Sequence, residues 1–459
     1  MSENGHRGTH PPLVYDLLGV GFGPSNLALA VAIAEQCESH KSLGENARIA
    51  TTFLEQKERF GWHGGMLLDD SMMQISFLKD LATTRNPTSQ YSFLAYLAAR
   101  DRLADFINQK SFFPSRIEFH DYLEWAASHF AGLVEYSARV VNMRPVRRGR
   151  GVACIEVMAA RAANGDTRPL TRCARNVVVA VGLRPVLPTG VTPTERTWHS
   201  AELLPRMAGV AAERIYRFAV VGAGQSAAEV VRYLHRRFEN AEVHAVFTRY
   251  GYSIADDTAF ANRVFDPMAV DDYYSAPADV KQQLLNYHRN TNYSVVDSDL
   301  ISDLYGRMYR ERVAGRQRLH LHNMSAVAHQ APAGDKLRLT VRNLASGTSS
   351  TLIADYAIYA TGYAPVDPTE ILGDAAELCQ RDPAGELLVR RDYRVSTVPD
   401  ATCGIYLQGS TEHSHGISSS LLSNVAVRAG EILASVRRYL PAGATPTDLP
   451  VEDLNIGVR

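Results

Sequence analysis

Two short stretches carry the same punctuation, and they restrict the fold more than anything else in the chain. Tyr15 to Leu29, YDLLGVGFGPSNLAL, is an apolar run, a glycine-rich turn and an apolar helical segment; Phe218 to Glu229, FAVVGAGQSAAE, repeats that order. Gly21, Gly23 and Asn26 in the first, and Gly222, Gly224 and Ala227 in the second, occupy the small-residue positions of a dinucleotide-binding turn. In such a turn a strand feeds a helix N-terminus, whose backbone N–H groups and dipole receive a pyrophosphate. Two units in one chain imply two dinucleotides, one of them a flavin.

The residues downstream of each turn separate the two ligands. After the first, Leu17 to Val20 predicts a buried parallel strand, a helix runs from about Pro24 to near Glu35, and the next apolar run, Ile49 to Leu54, closes with Glu55. An acidic residue at the end of the second strand bonds ribose hydroxyls and disfavours a ribose phosphate, so this site prefers FAD or NAD to NADP. Glu55 comes later than the usual spacing of about 20 residues, and a polar loop over Glu38 to Asn46 accounts for the delay. After the second turn, Val243 to Phe247 ends in Thr248 and Arg249 with no acid at its tip. A base there suits a 2′-phosphate, hence NADPH.

The chain has 459 residues, enough for two or three domains because single cores rarely exceed about 250 to 300. A formal charge of -1 gives no reason to expect nucleic acid or an anionic membrane as partner. Cys37, Cys154, Cys173, Cys379 and Cys403 form no CxxC pair. That argues against a disulfide framework, a zinc site or a redox-active disulfide; no metal site is expected, and a reducing cytoplasm is the simplest setting. Met1 to Pro12 is polar and reads as a disordered tail without an apolar signal core, the tail from Pro441 as loosely ordered, and Leu27 to Ala34 is too short for a membrane span.

Between the turns, Phe60 to Leu81 reads as a partly buried loop and core helix, Asn86 to Arg100 as a loop then a helix, and Arg116 to Phe130 as a helix started by Pro114 and Ser115. Lys79 follows Ile75, Phe77 and Leu78, where a lysine either meets an anion or snorkels to the surface. Arg116 in a first helical turn points to a nearby phosphate or is simply exposed. Strands are expected over Val140 to Val157, Asn176 to Val181, Leu352 to Tyr363 and Gly404 to Gly409, and a final helix from about Ser418, with Ser418 and Ser419 as cap or ligand groups. His413 and His415 lack a Cys or acidic ligand pair nearby, which speaks against a metal. Gly251 to Arg312 breaks the α/β rhythm with a tyrosine-rich, mostly helical insertion; its Asn262 and Asn292 are satisfied structural amides or polar anchors of a small-molecule pocket.

Taken together, GVGFGPSN, FGWHGGM, MQISFLKDLATTRNPTS, PSRIEFHDYLEW, VVGAGQSAAE, DDTAFANRVF, NTNYSVVD, YATGY and HSHGISSSLLS resemble the flavin-dependent N-hydroxylating monooxygenases, the ornithine and lysine N-monooxygenases of hydroxamate siderophore biosynthesis. The likeness runs from about Tyr15 to about Leu440, and the RNPTS stretch is more like the ornithine enzymes. It implies an α/β fold: two dinucleotide-binding, Rossmann-like domains with a small, mainly helical substrate-binding insertion. The boundaries are 13–210 for the first part of the FAD domain, 211–355 for the NADPH domain with 251–312 as the insertion, and 356–440 for the FAD domain's return. It further implies a cytoplasmic homotetramer in which NADPH reduces FAD, oxygen adds as a flavin hydroperoxide, and the side-chain amine of L-ornithine takes the distal oxygen. Lys79, Asn262, Asn292 and Ser419 would hold substrate. Gly21, Gly23, Pro24, Asn26, Glu55, Trp62, His63, Gln74 and Ile417 would hold FAD, and Arg116, Gly222, Gly224, Gln225, Ser226 and Arg249 would hold NADPH. L-lysine or another primary amine is the alternative substrate. A class B flavin monooxygenase of another substrate class is a more distant reading, since a neutral substrate would leave Lys79 unpaired.

Overall fold

The computed structural model describes residues 13–42, 48–163, 165–292 and 294–440. At the head of the chain, β1 (Val14–Val20) enters the first glycine turn, α1 (Pro24–Ser42) leaves it, and β2 (Thr51–Leu54) returns parallel to β1. The first half of α1 is apolar on all sides because it is covered on both faces: Leu27 to Val31 are buried between the first sheet and the C-terminal helix. The helix passes its expected end near Glu35 and runs to Ser42, into the stretch expected as a loop. No glycine or proline interrupts it before Gly44.

Phe60 to Leu81 forms no core helix; it has only a 3₁₀ turn at Gly64–Met66. This segment crosses from the first sheet to the second, and a Cβ at Gly65 would stand 1.7 Å from the Ala201 carbonyl oxygen. α2 (Arg116–Ser128) starts where Ser115 predicts, with the Ser115 hydroxyl accepting from the Glu118 N–H. β3 (Ala138–Arg148), β4 (Gly151–Ala163) and β5 (Asp166–Val179) form long antiparallel hairpins, so the expected run Val140 to Val157 reverses at Gly149. The long strand β5 changes partners along its length. Its first part pairs with β4, and from Cys173 onward it lies parallel to β1.

The second sheet begins earlier than the expected boundary at 211, because β6 (Thr197–His199) already belongs to it. β7 (Arg217–Val221) leads through the second glycine turn into α3 (Gln225–Arg237) and β8 (Glu242–Val246). The insertion is helical as expected: a 3₁₀ turn at Ala261–Phe265, then α4 (Pro267–Ser275), α5 (Ala278–Asn292) and α6 (Ser298–Val313). β9 (Leu319–His322) follows, then the antiparallel ribbon β10 (Ser325–Ala333), β11 (Lys336–Asn343) and β12 (Ser349–Ala354), and β13 (Tyr356–Tyr359). The second sheet is all parallel in the order β9-β8-β7-β13-β6. Leu352 to Tyr363 is therefore not one strand. Asp355 divides it, its carboxylate accepting from the Arg217 N–H at 2.8 Å, and β13 stays in the second sheet beyond the expected return at 356.

The chain rejoins the first sheet through β14 (Gly404–Leu407), parallel to β5. The final helix, α7 (Val425–Tyr439), starts later than expected, after 3₁₀ turns at Ile417–Ser420 and Leu422–Asn424. The five cysteines are free, and among the described residues no helix is long and apolar enough to cross a membrane.

Candidate active site

The first turn is shaped by contacts that only glycine allows. Gly21 has φ +82°, and a Cβ there would meet the Ala180 carbonyl oxygen at 2.5 Å, whereas Gly23 faces open space through which a ligand can approach the backbone. Asn26 is wholly buried. Its Nδ2 donates to the Gly21 carbonyl at 2.7 Å and its Oδ1 accepts from Gln408 Nε2 at 3.1 Å, so it ties the turn to the end of β14 and acts on the turn's shape. Pro24 opens α1. Glu55 stands at the tip of β2, where a ribose-binding strand needs an acid; its carboxylate lies under the turn, accepting from the N–H groups of Phe22 at 2.7 Å and Lys57 at 2.9 Å.

A buried arginine that makes no ion pair among the described residues backs this turn. Arg428 of α7 is 2% exposed and, among the described residues, forms no ion pair. Its guanidinium donates to the Ser419 carbonyl, to Ser25 Oγ at 3.2 Å and to Gln408 Oε1 at 3.5 Å. Burial pulls its pKa down. A helix N-terminus and a buried cation without an ion-pair partner together favour an anion, which is what a dinucleotide pyrophosphate offers. The hydroxyls of Ser419, Ser420 and Thr411 and the Asn424 amide nitrogen are buried without partners in the same C-terminal segment, so it too fits a ligand laid along the first turn. Ile417 is buried there.

Trp62 and His63 reach the crevice from the crossing segment, their rings edge to face at 4.5 Å. His63 has φ 52° and faces Tyr363, which in turn meets His199. His63 keeps solvent contact, but the protein packed around its imidazole desolvates it and Arg116 and Lys57 add repulsion, which together lower its pKa. Its ring is neutral near pH 7.

A chain of polar side chains joins the two sheets and the insertion. Arg116 makes two bonds to the Glu229 carboxylate, at 2.9 and 2.8 Å, and a third to the Met66 carbonyl. Gln225 Nε2 donates to Glu229 at 3.1 Å and to Asp297 at 2.7 Å, and the Asp297 N–H returns a bond to Gln225 Oε1. Gln74 Nε2 donates to the other Asp297 oxygen at 2.8 Å. The residues expected at FAD (Gln74) and at NADPH (Arg116, Gln225) thus meet through two carboxylates, the last residues of VVGAGQSAAE and NTNYSVVD, to which the sequence assigns no role. Glu229 was legible as an i, i+4 neighbour of Gln225, and Asp297 as the residue that starts α6.

On the second turn, Gly222 has φ +142° and a Cβ there would meet the Ala360 carbonyl oxygen at 2.3 Å; Gly224 lies under Ser294. Ser226 follows in the first turn of α3. Arg249 donates to the Ser294 carbonyl at 2.8 Å and to Ser253 Oγ at 3.3 Å, and no carboxylate among the described residues pairs with it, leaving its charge available to a phosphate.

Lys79 is half-buried, and its ammonium lies 5.9 Å from the centre of the Phe265 ring with no anionic partner among the described residues. Phe265 closes the 3₁₀ turn that carries Asn262, and this turn packs on Ile417–Ser420, which carries Ser419. Three of the four expected substrate residues therefore converge from distant parts of the chain. Asn262 Nδ2 donates to the carbonyls of Asp257 and Thr258, so it must release one of these bonds to donate to a ligand. Asn292 ends α5, and its side chain lies outside the described residues. Beside this convergence, a cavity of about 170 Å³ opens between α4, α5 and Gly416 to Ser418, with Asp272 and His288 on its wall. A cavity of about 150 Å³ can admit benzene, so this one suits a small organic side chain. His413 and His415 bond the carbonyls of Leu387 and Arg391.

Residues 13–365 match the family described as L-lysine 6-monooxygenase/L-ornithine 5-monooxygenase. The chain belongs to this family. Among its members, the L-ornithine N(5)-monooxygenase of Pseudomonas aeruginosa is 37% identical over 442 residues, covering 95% of this chain and 97% of its own. The structure of the Kutzneria sp. 744 ornithine N-hydroxylase with reduced FAD, NADP⁺ and L-ornithine superposes with a TM-score of 0.87 at 47% identity, covering 93% of this chain and 99% of that one. The L-lysine 6-monooxygenase of Pseudomonas syringae superposes with a TM-score of 0.80 at 30% identity, covering 93% and 100%.

Proposed function

We propose that the chain is an FAD- and NADPH-dependent monooxygenase that N-hydroxylates the side-chain amine of L-ornithine, supplying a hydroxamate precursor for siderophore biosynthesis. In this reading the first sheet and its glycine turn are a Rossmann-like FAD domain, the second sheet is the NADPH domain, and 251–312 is the substrate-binding insertion. The observation that carries it is Lys79: an ammonium in an apolar setting, with no anion of its own, on the same wall as Asn262 and Ser419. An α-carboxylate supplies the missing anion.

Bound FAD, once reduced, supplies the oxygen chemistry; the chain's residues bind, orient and exclude water. Glu55 and the first turn hold the flavin nucleotide, with Arg428 behind the pyrophosphate. Gly222, Gly224 and Arg249 hold NADPH, Arg249 on the 2′-phosphate. Lys79 and Asn262 fix the substrate's carboxylate end, while Ser419, whose hydroxyl has no protein partner, is free to orient the rest. The amine must be neutral to react, and burial favours that form. Ornithine is preferred to lysine because the Kutzneria ornithine enzyme shares 47% of its residues against 30% for the lysine enzyme. One methylene is worth only about 1 to 3 kcal/mol in a pocket, so the discrimination is modest.

The test is an amine panel with FAD and NADPH that measures hydroxylated product, since NADPH oxidation alone also counts uncoupled turnover. Hydroxyornithine is expected; product from lysine but not ornithine refutes the substrate. The homotetramer and the cytoplasmic setting belong to the same proposal, and sedimentation of the purified protein tests the first.

A further inference from the structure

The outer face of the second sheet carries a histidine cluster that the reaction does not use. Along β8, Glu242 and His244 alternate with the buried Val243 and Ala245. His244 lies opposite His320 of β9, and Val246 opposite His322. The two-residue period therefore sets Glu242, His244, His320 and His322 on one face. The His244 and His320 rings stack with centres 4.5 Å apart and planes 10° from parallel. His244 Nδ1 is 2.9 Å from His322 Nε2, and His244 Nε2 is 3.4 Å from Glu242 Oε2. His320 Nε2 is buried with no hydrogen-bond partner at all. One donor atom each from Glu242, His244 and His320 lies within 4.8 Å of the others.

We propose that Glu242, His244 and His320 bind a divalent transition ion of the zinc type, which clamps the edge strand β9 to β8. Two imidazoles and a carboxylate form a borderline donor set suited to Zn²⁺, Ni²⁺ or Cu²⁺ and ill suited to Mg²⁺ or Ca²⁺, which take oxygen donors. Ligands at about 2.0 to 2.2 Å from a tetrahedral ion stand roughly 3.4 Å apart, so side-chain rotation has to draw the three donors together by up to about 1.4 Å and open the His244–His320 stack, since each imidazole binds an ion in its own plane. His322 serves as the outer partner: its Nε2 accepts from His244 Nδ1–H, which orients the ring so that His244 Nε2 points to Glu242 and the ion. The orphaned His320 nitrogen gains the partner it lacks. What the ion displaces is modest, because Glu242 is otherwise held by Arg217 at 2.6 Å in a pair whose members are both over a third exposed. The clamp has a route to the nucleotide loop, since β9 runs on to Met324, whose N–H donates to the Arg249 carbonyl at 2.8 Å.

The experiment is calorimetric titration of the FAD-loaded full-length protein, stripped with a chelator, with ZnCl₂ and separately with MgCl₂. One equivalent of Zn²⁺ should bind in the micromolar range or tighter and raise the thermal unfolding temperature, with no response to Mg²⁺. His320→Ala, His244→Ala and Glu242→Gln should each weaken the binding at least tenfold, while His413→Ala leaves it intact. Circular dichroism and FAD content identify variants that keep the fold, and those alone are compared. Absence of a Zn²⁺ isotherm, or an isotherm unchanged in His320→Ala and His244→Ala, overturns the site.

Discussion

Replacing Arg116 by alanine tests whether the polar chain between the sheets is structural. The side chains of Arg116 and Glu229 are 14% and 0% exposed. Without the guanidinium, the Glu229 carboxylate keeps one bond, to Gln225 Nε2 at 3.1 Å, and Gln225 shares that group with Asp297. Breaking a buried pair by removing one partner costs about 3 to 5 kcal/mol, against about 0 to 1 for a surface pair. Because Arg116 keeps a little solvent contact, the low end, about 3 kcal/mol, is expected. At about 2.1 cal/mol/K of unfolding entropy per residue, 1 kcal/mol moves the midpoint of a 459-residue chain by about 1 °C, so scanning calorimetry on the FAD-loaded protein should show a fall of roughly 3 °C. Replacing both partners, Arg116→Met with Glu229→Met, removes the stranded charge and should recover most of that fall. A fall under about 2 °C in Arg116→Ala, or no recovery in the double variant, would falsify the structural role. A selective loss of NADPH affinity with no thermal change would instead give Arg116 to the nucleotide.

Three further outcomes are expected. Lys79→Ala should raise the apparent KM for ornithine by an order of magnitude or more while NADPH still reduces the flavin in a stopped-flow trace; failure of reduction itself makes Lys79 a cofactor residue. Arg249→Ala should weaken NADPH far more than NADH, and equal losses for the two exclude the 2′-phosphate contact. His415 is completely buried, stacked on Tyr393 at 4.2 Å, and desolvation holds its pKa at about 4 against an ordinary 6.5. The unfolded chain then binds the proton more readily, so the stability contributed by His415, roughly 3 kcal/mol, is present above pH 6.5 and lost as pH falls towards 4. Denaturation midpoints across that window should fall less steeply in His415→Gln, and parallel curves would remove His415 from the account.

The parts of the fold that were legible in the sequence are those whose causes are local. A glycine turn needs φ above zero at Gly21 and an absent Cβ at Gly222, and both requirements leave a mark in the residues themselves. The cap at Ser115 and the acid at Glu55 are read the same way. The features that stayed hidden depend on partners far along the chain. Asp355 splits an apolar run because the Arg217 N–H needs an acceptor, and β6 is too short for any period to register. Gly65 lets the crossing segment press against Ala201, a contact with no trace in the local sequence pattern. The serine-rich start of the last helix coils into 3₁₀ turns instead, leaving the Ser419 and Ser420 hydroxyls buried and unpartnered.

Arg428 shows how far local reasoning could have gone. A charge among apolar neighbours, the pattern that marks Lys79, is stronger still at Arg428 in VAVRAGEIL, whose side chain is among the largest wholly buried ones in the protein. A buried guanidinium that meets only a carbonyl, a hydroxyl and an amide is costly, and it keeps that position only if something else compensates it. The glycine turn through Ser25 and the substrate wall through Ser419 are bonded to this one side chain, and the Glu431 carboxylate, which makes no ion pair with it, favours its charge only from a distance. A pyrophosphate on the first turn meets that condition. Through its bonds to Ser25 and to the Ser419 carbonyl, this one side chain joins the turn that receives the flavin nucleotide to the wall of the pocket that carries Lys79.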